Sequence, residues 1–122
     1  MSIFEAIGEE GFTRLTAAFY RQIPRDEVLG PMYQSHGDLA EAEVRLRDFL
    51  IYRFGGPQRY LSTRGEPRLR IRHAPFVVDV RARDHWVQMM DQALLEAAIP
   101  AEVADPLRQF LHETATFLIN CR

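Results

Sequence analysis

The chain has 122 residues, 47% of them hydrophobic, with a formal net charge of −2 and a pI of about 6.1. That length suits one domain over 1–122 with a sizeable core, and the balanced charge argues against a nucleic-acid or anionic-membrane partner. All 15 basic residues are arginines, and the one cysteine, Cys121, admits no internal disulfide and fits a reducing compartment. The first residues lack the basic and long apolar stretches of a secretory signal, and no apolar run approaches the ~18 residues of a membrane span. The expectation is a soluble, cytoplasmic protein.

Ser2 and Glu5 have the spacing of a capping box before a short helix that Gly8 ends. From Phe12 the apolar residues Phe12, Leu15, Phe19, Tyr20 and Ile23 fall on one helical face, and Pro24 closes the run. Asp26 to Leu29 reads as a brief helical turn stopped by Gly30-Pro31, followed by a polar loop over 34–37. Asp38 is a natural N-cap for a helix that carries Leu39, Ala42, Leu46, Phe49, Leu50 and Arg53 on one side and ends at Gly55-Gly56-Pro57.

Residues 57 to 70 are arginine-rich, contain Pro57, Gly65 and Pro67, and show no clean period; they read as an irregular loop. His73 then lies on a short helical turn halted by Pro75. Asp79 can cap a long helix whose inner face is Trp86, Met89, Met90, Ala93, Leu94 and Ala97. A last helix is expected to start at Asp105, with Pro106 in its first turn and Leu107, Phe110, Leu111, Thr114, Phe117, Leu118 and Cys121 on its buried face. No strand is expected, and the fold class is all-α.

The stretch Arg68-Leu69-Arg70-Ile71-Arg72-His73-Ala74-Pro75-Phe76 carries the most chemistry. A neutral imidazole is a good iron ligand, and guanidinium groups pair with carboxylates such as haem propionates. Spacing alone also admits an ordinary helix-end histidine. Tyr20 and Trp86 fall on inner faces, where a phenol or an indole needs a hydrogen-bond partner. Backbone carbonyls could supply it, or the two could join Tyr33 as donors in a pocket. Met89 and Met90 read as core. His36, His85 and His112 have no metal-ligand spacing and read as surface or helix-face residues.

Taken together, Phe19-Tyr20, Asp26-Glu27-Val28-Leu29 with Tyr33, Leu39-Ala40-Glu41-Ala42-Glu43 with Arg45-Leu46, Phe54-Gly55-Gly56-Pro57, Arg68 through Phe76, and Trp86 resemble the second group of the truncated haemoglobins. The resemblance covers nearly the whole chain. It implies a two-over-two helical sandwich around haem b, iron protoporphyrin IX, with His73 as the proximal iron ligand.

The same resemblance matches Tyr20, Tyr33 and Trp86 to the distal polar positions, where dioxygen, nitric oxide or another small diatomic ligand binds. Ala42 matches the place where many globins carry a distal histidine or glutamine. Leu46 and Phe49 would wall the distal pocket, and Arg45, Tyr60 and Arg72 match residues that approach the haem propionates. Two distal donors would slow oxygen release by orders of magnitude. This favours nitric oxide dioxygenase or peroxidase-like chemistry over oxygen transport, storage or sensing. No flavin or nicotinamide motif is present, so such chemistry needs an external reductant; a homodimer is compatible with the sequence.

One departure stands near the start: a Gly-Gly pair usual in the family is reduced to Gly8-Glu9, so the short Ser2 to Ile7 helix is free to sit differently. Two other readings compete. A phosphate-binding patch over Arg59 to Arg83 conflicts with the low net charge. A helical interaction domain without haem would have no Soret band.

Overall fold

Every long helix but the last begins at a residue whose side chain replaces a missing helical acceptor. The computed structural model describes residues 1–121. Helix α1 spans Ile3–Gln22; Ser2 Oγ accepts from Glu5 N and Glu5 Oε1 accepts from Ser2 N, so the capping box is formed. The chain breaks at Gly8 (φ 68°, ψ 179°) and resumes as helix through Gln22. Gly8 alone makes the turn, in a backbone conformation that L side chains avoid. Glu9, the residue after it, donates nothing to that turn but receives both Nη atoms of Arg59, at 2.8 and 3.4 Å.

A single 3-10 turn, Ile23–Arg25, leads to α2 (Leu29–Gln34). Here the structure corrects the expected stop: Gly30 and Pro31 lie inside α2. The first-turn amides of a helix have no helical acceptor, so proline is tolerated there. Gly30 is needed because a Cβ would sit 3.1 Å from the Ile23 carbonyl oxygen. The N-cap Val28 has no side-chain cap bond of its own, but Asp26 Oδ2, two residues earlier, accepts from the Val28 and Leu29 amides.

Helix α3 (Leu39–Arg53) is capped by Asp38 through Ala40 N. It ends at the Gly55-Gly56 turn, which receives the N-terminus: Phe4 N donates to Phe54 O at 3.0 Å. A Cβ on Gly56 would stand 2.7 Å from the Phe4 ring and 2.6 Å from Ile51 Cγ2.

The expected loop over 57–70 contains a helix, α4 (Arg59–Arg64). No side chain caps it; burial of Tyr60 and the Arg59–Glu9 pair hold it, both tertiary effects that a periodicity search over six residues does not detect. Helix α5 (Leu69–His73) comes next. Helix α6 (Val80–Glu96) is capped by Asp79 through Ala82 N.

The last helix, α7, runs Ala101–Phe117 and begins a turn before the expected Asp105. Val103 and Ala104 are buried, and their amides are met by the Pro100 carbonyl, so packing pulls the extra turn into the helix. Pro106 therefore sits inside the helix. Phe117 is half-exposed and Cys121 lies past the helix end in solvent, so neither joins the buried face.

Helix α1 packs on α3 and α6, and α6 on α7. This is the all-α, two-over-two arrangement that the sequence resemblance implies, with no strand among the described residues. Phe12, Leu15, Phe19, Ile23, Leu50, Met90, Leu94 and Leu107 are fully enclosed where these faces meet. Such a core contributes roughly 1.5 to 3 kcal/mol per large side chain and leaves α2, α4 and α5 around an open space on one side.

Candidate functional site

That space is a cavity of about 340 Å³ to which every helix contributes. Tyr20, Tyr33, Ala42, Arg45, Leu46, Phe49, Tyr60, Arg72, His73 and Trp86 all line it. The helices and the loops between them thus bring one set of sequence-distant side chains to a common surface.

His73 ends α5. Its Nδ1 lies 2.7 Å from the Leu69 carbonyl oxygen. A carbonyl only accepts, so Nδ1 carries the ring hydrogen and Nε2 keeps its lone pair. Helix α5 opens on Arg68, whose left-handed backbone (φ 41°, ψ 55°) costs a non-glycine residue about 1 to 2 kcal/mol. Arg72 braces the same segment: Nε donates to Pro67 O at 2.6 Å, and Nη2 to Arg64 O at 2.6 Å and Glu66 O at 2.9 Å. Its guanidinium carbon also stands 5.8 Å from the Tyr60 ring centre.

Tyr20 on α1, Tyr33 on α2 and Trp86 on α6 gather in one aromatic cluster. The Tyr20 ring meets Tyr33 edge-on at 5.9 Å and Phe19 at 5.1 Å, and Phe19 meets Trp86 at 5.2 Å. The Tyr33 hydroxyl has the Trp86 indole and the Tyr20 hydroxyl as polar neighbours. Burial pushes the Tyr20 pKa far up, and Tyr33 adds to this, while Arg45 opposes it. Burial also raises the Tyr33 pKa, against the opposing influence of the neighbouring Trp86 indole and Tyr20 hydroxyl. Both phenols therefore stay protonated, and remain donors, throughout the neutral range.

Phe49 packs edge-on against Tyr60 at 5.5 Å, and Ala42 offers only a methyl group to the cavity. Several lining residues are not distinguished as site residues by the sequence. Arg64 belongs to the unexpected α4, where it lies four positions from Tyr60 and so shares its face. His36 bonds the Met32 carbonyl through Nδ1 at 2.8 Å and stacks on Phe76 at 4.2 Å; nothing local distinguishes it from a loop histidine. His85 and His112 each take a carboxylate partner, Asp26 at 2.9 Å and Asp91 at 2.8 Å.

The donor set fits an iron porphyrin better than a bare ion. Among the described residues no group of three or more His, Cys, Asp or Glu could hold a metal ion. A porphyrin brings four nitrogens of its own and needs one protein ligand, apolar walls and cations for its carboxylates. His73, Leu46 and Phe49, and Arg45, Arg64 and Arg72, which all line the cavity, could supply these. No helix among the described residues is long and apolar enough to cross a membrane.

The model of the bacterial-like globin family matches residues 2–120. A group 2 truncated hemoglobin of Bacillus subtilis is 33% identical over 117 residues, covering 96% of this chain and 87% of that protein. Among solved structures, a thermostable hemoglobin of the actinobacterium Thermobifida fusca superposes with a TM-score of 0.93 at 43% identity, covering 98% of each chain. A truncated oxygen-avid haemoglobin of Bacillus subtilis superposes with a TM-score of 0.92 at 32% identity, over 98% of this chain and 100% of that one.

Proposed function

Because this chain belongs to the bacterial-like globin family and, within it, to the group 2 truncated haemoglobins, we propose that His73 binds the iron of its haem b and that Trp86 and the two tyrosines retain a diatomic ligand for redox chemistry. Haem and small-ligand binding come with the family. The finer reading rests on one observation: Tyr20, Tyr33 and Trp86 form a single cluster on the cavity that His73 also lines.

When bound, haem supplies an iron that coordinates dioxygen or nitric oxide and exchanges single electrons. The side chains around the cavity tune that chemistry. His73 Nδ1 donates to the Leu69 carbonyl, which orients the imidazole and raises the basicity of Nε2. Arg45 and Arg64, and the Nη1 of Arg72, offer positive charge to the propionates. Leu46, Phe49 and Ala42 exclude water and leave lateral room for a small reactant.

Trp86 Nε1 and the tyrosine hydroxyls would donate to a diatomic ligand that gains negative charge in this cavity. Each such bond contributes about 1.5 to 3 kcal/mol, which is about a tenfold or larger change in equilibrium constant. If release is the slowed step, the protein is a poor carrier and a good holder of oxygen until a second reactant arrives. Nitric oxide is small enough for the cavity, and its oxidation to nitrate by dioxygen (NO + O2 + e− → NO3−) would take one electron per turnover from an external reductant. Storage or sensing is the alternative.

Stopped-flow mixing of the oxygenated protein with nitric oxide separates the two. Rapid consumption with stoichiometric nitrate supports the redox reading. Nitrate formation no faster than spontaneous oxygen release favours storage or sensing.

A further inference from the structure

Helix α5 fully buries none of its residues; Leu69, half-buried against the core, anchors the start of the segment that presents His73. Beyond the Arg72 brace, polar bonds from the far end of the chain hold its other end. Past α7 the backbone returns to the turn after His73: Asn120 N and Cys121 N both donate to the Val78 carbonyl, at 2.9 and 3.2 Å. The Asn120 side chain completes the link. Its Oδ1 accepts from Val78 N at 3.0 Å, and its Nδ2 donates to Phe76 O at 3.0 Å and to His73 O at 3.3 Å. A backbone amide can only donate, so Val78 fixes which end of the Asn120 amide is oxygen.

A second contact grips the other side of His73. Arg70 Nε donates to the Phe117 carbonyl at 3.2 Å, and its guanidinium carbon lies 4.0 Å from the Phe117 ring centre. The C-terminal end of α7 and the residues just past it thus hold the chain before and after the histidine, and the Asn120 side chain reaches the histidine's own carbonyl.

We propose that Asn120 is a positioning residue for the iron ligand: by fixing the carbonyls of His73 and Phe76 it sets where the imidazole Nε2 stands over the cavity, and so the strength and uniformity of its bond to haem iron. The inference rests on the reading of His73 as that ligand. The reason lies in what else holds the turn. Pro75 removes one amide from it; its own backbone bonds are Ala74 N to Ile71 O at 3.2 Å and Phe76 N to His73 O at 3.0 Å, and Asn120 adds three side-chain bonds to these.

The test is resonance Raman of the ferrous, ligand-free holoprotein, read at the iron–histidine stretch, together with haem transfer to a haem-scavenging apoprotein. The variants are Asn120→Ala and Asn120→Asp; the aspartate is nearly isosteric and keeps the bond from Val78 but loses both donors. The wild type should show one narrow band that vanishes in His73→Gly. Both Asn120 variants should shift or split it and speed haem loss about fivefold or more. If Asn120→Ala does not fold, Asn120→Asp carries the comparison alone.

An unchanged band and unchanged haem loss in a folded variant would overturn the proposal, even with a lowered melting temperature, since that outcome means a simple tether. A wild-type spectrum with no His73-dependent band would overturn the ligand reading, and the proposal with it.

Discussion

The Nδ1 atom of His73 lies 2.7 Å from the carbonyl oxygen of Leu69, one helical turn earlier. This contact selects the tautomer that leaves the Nε2 lone pair free, on a side chain that lines the cavity. His73→Gly should lower haem affinity by more than about a hundredfold, at or beyond the upper range for losing a supporting shell residue. Titration of the apoprotein with haem, followed at the Soret band, measures it. Added imidazole should restore part of the band in His73→Gly.

Tyr33 has both other donors, Tyr20 and Trp86, as neighbours. Tyr33→Phe should therefore speed oxygen release directly and also loosen the two donors beside it, by about tenfold or more in total. Tyr20→Phe removes one hydroxyl and leaves the Tyr33–Trp86 pair. Stopped-flow displacement of oxygen by carbon monoxide compares the two, with Tyr33→Phe expected to be the faster.

Asp26 links the stability of α2, and so Tyr33, to acid. Burial raises its pKa, but the Leu29 amide, His85 and the Val28 amide together outweigh this and leave it below the usual carboxylate range. A carboxyl depressed on folding contributes stability that is whole above its unfolded value and is lost as pH falls through its folded one. Wild-type stability should thus decline from about pH 4 downward. Asp26→Asn should be about 1 to 2 kcal/mol less stable at neutral pH and lack that component of the acid slope, as urea titrations at several pH values would show.

Ala98 comes after the last residues of α6 with φ 56°, while Ile99 N bonds Leu94 O at 3.3 Å. This is the position where helices prefer glycine. Ala98 is exposed, so Ala98→Gly loses little packing and relieves the left-handed strain. Stability should rise by about 1 kcal/mol, which for this length is a melting shift of roughly 3 to 5 °C.

The caps at Ser2, Asp38 and Asp79 are legible in the sequence because a cap is a contact within three residues. Helix α4 is not, since Arg59 and Tyr60 find their partners in α1 and α3. Prolines mislead in two places: Pro31 and Pro106 both lie within helices, because a first-turn position needs no amide donor and because buried Val103 and Ala104 draw α7 back past Asp105. The apolar pattern of α7 runs on past the helix end to exposed Cys121. At the site, periodicity places Tyr20 and Trp86 on inner faces, but only the family resemblance joins them to Tyr33 and His73. Asn120 carries no signal, since its partners lie more than 40 positions away.

Whether Trp86 retains the ligand is read from the rate of oxygen dissociation from the ferrous protein and from Trp86→Phe. The wild type should release oxygen slowly, and removing the indole donor should speed release about tenfold or more. Equal rates in the two proteins would contradict that role.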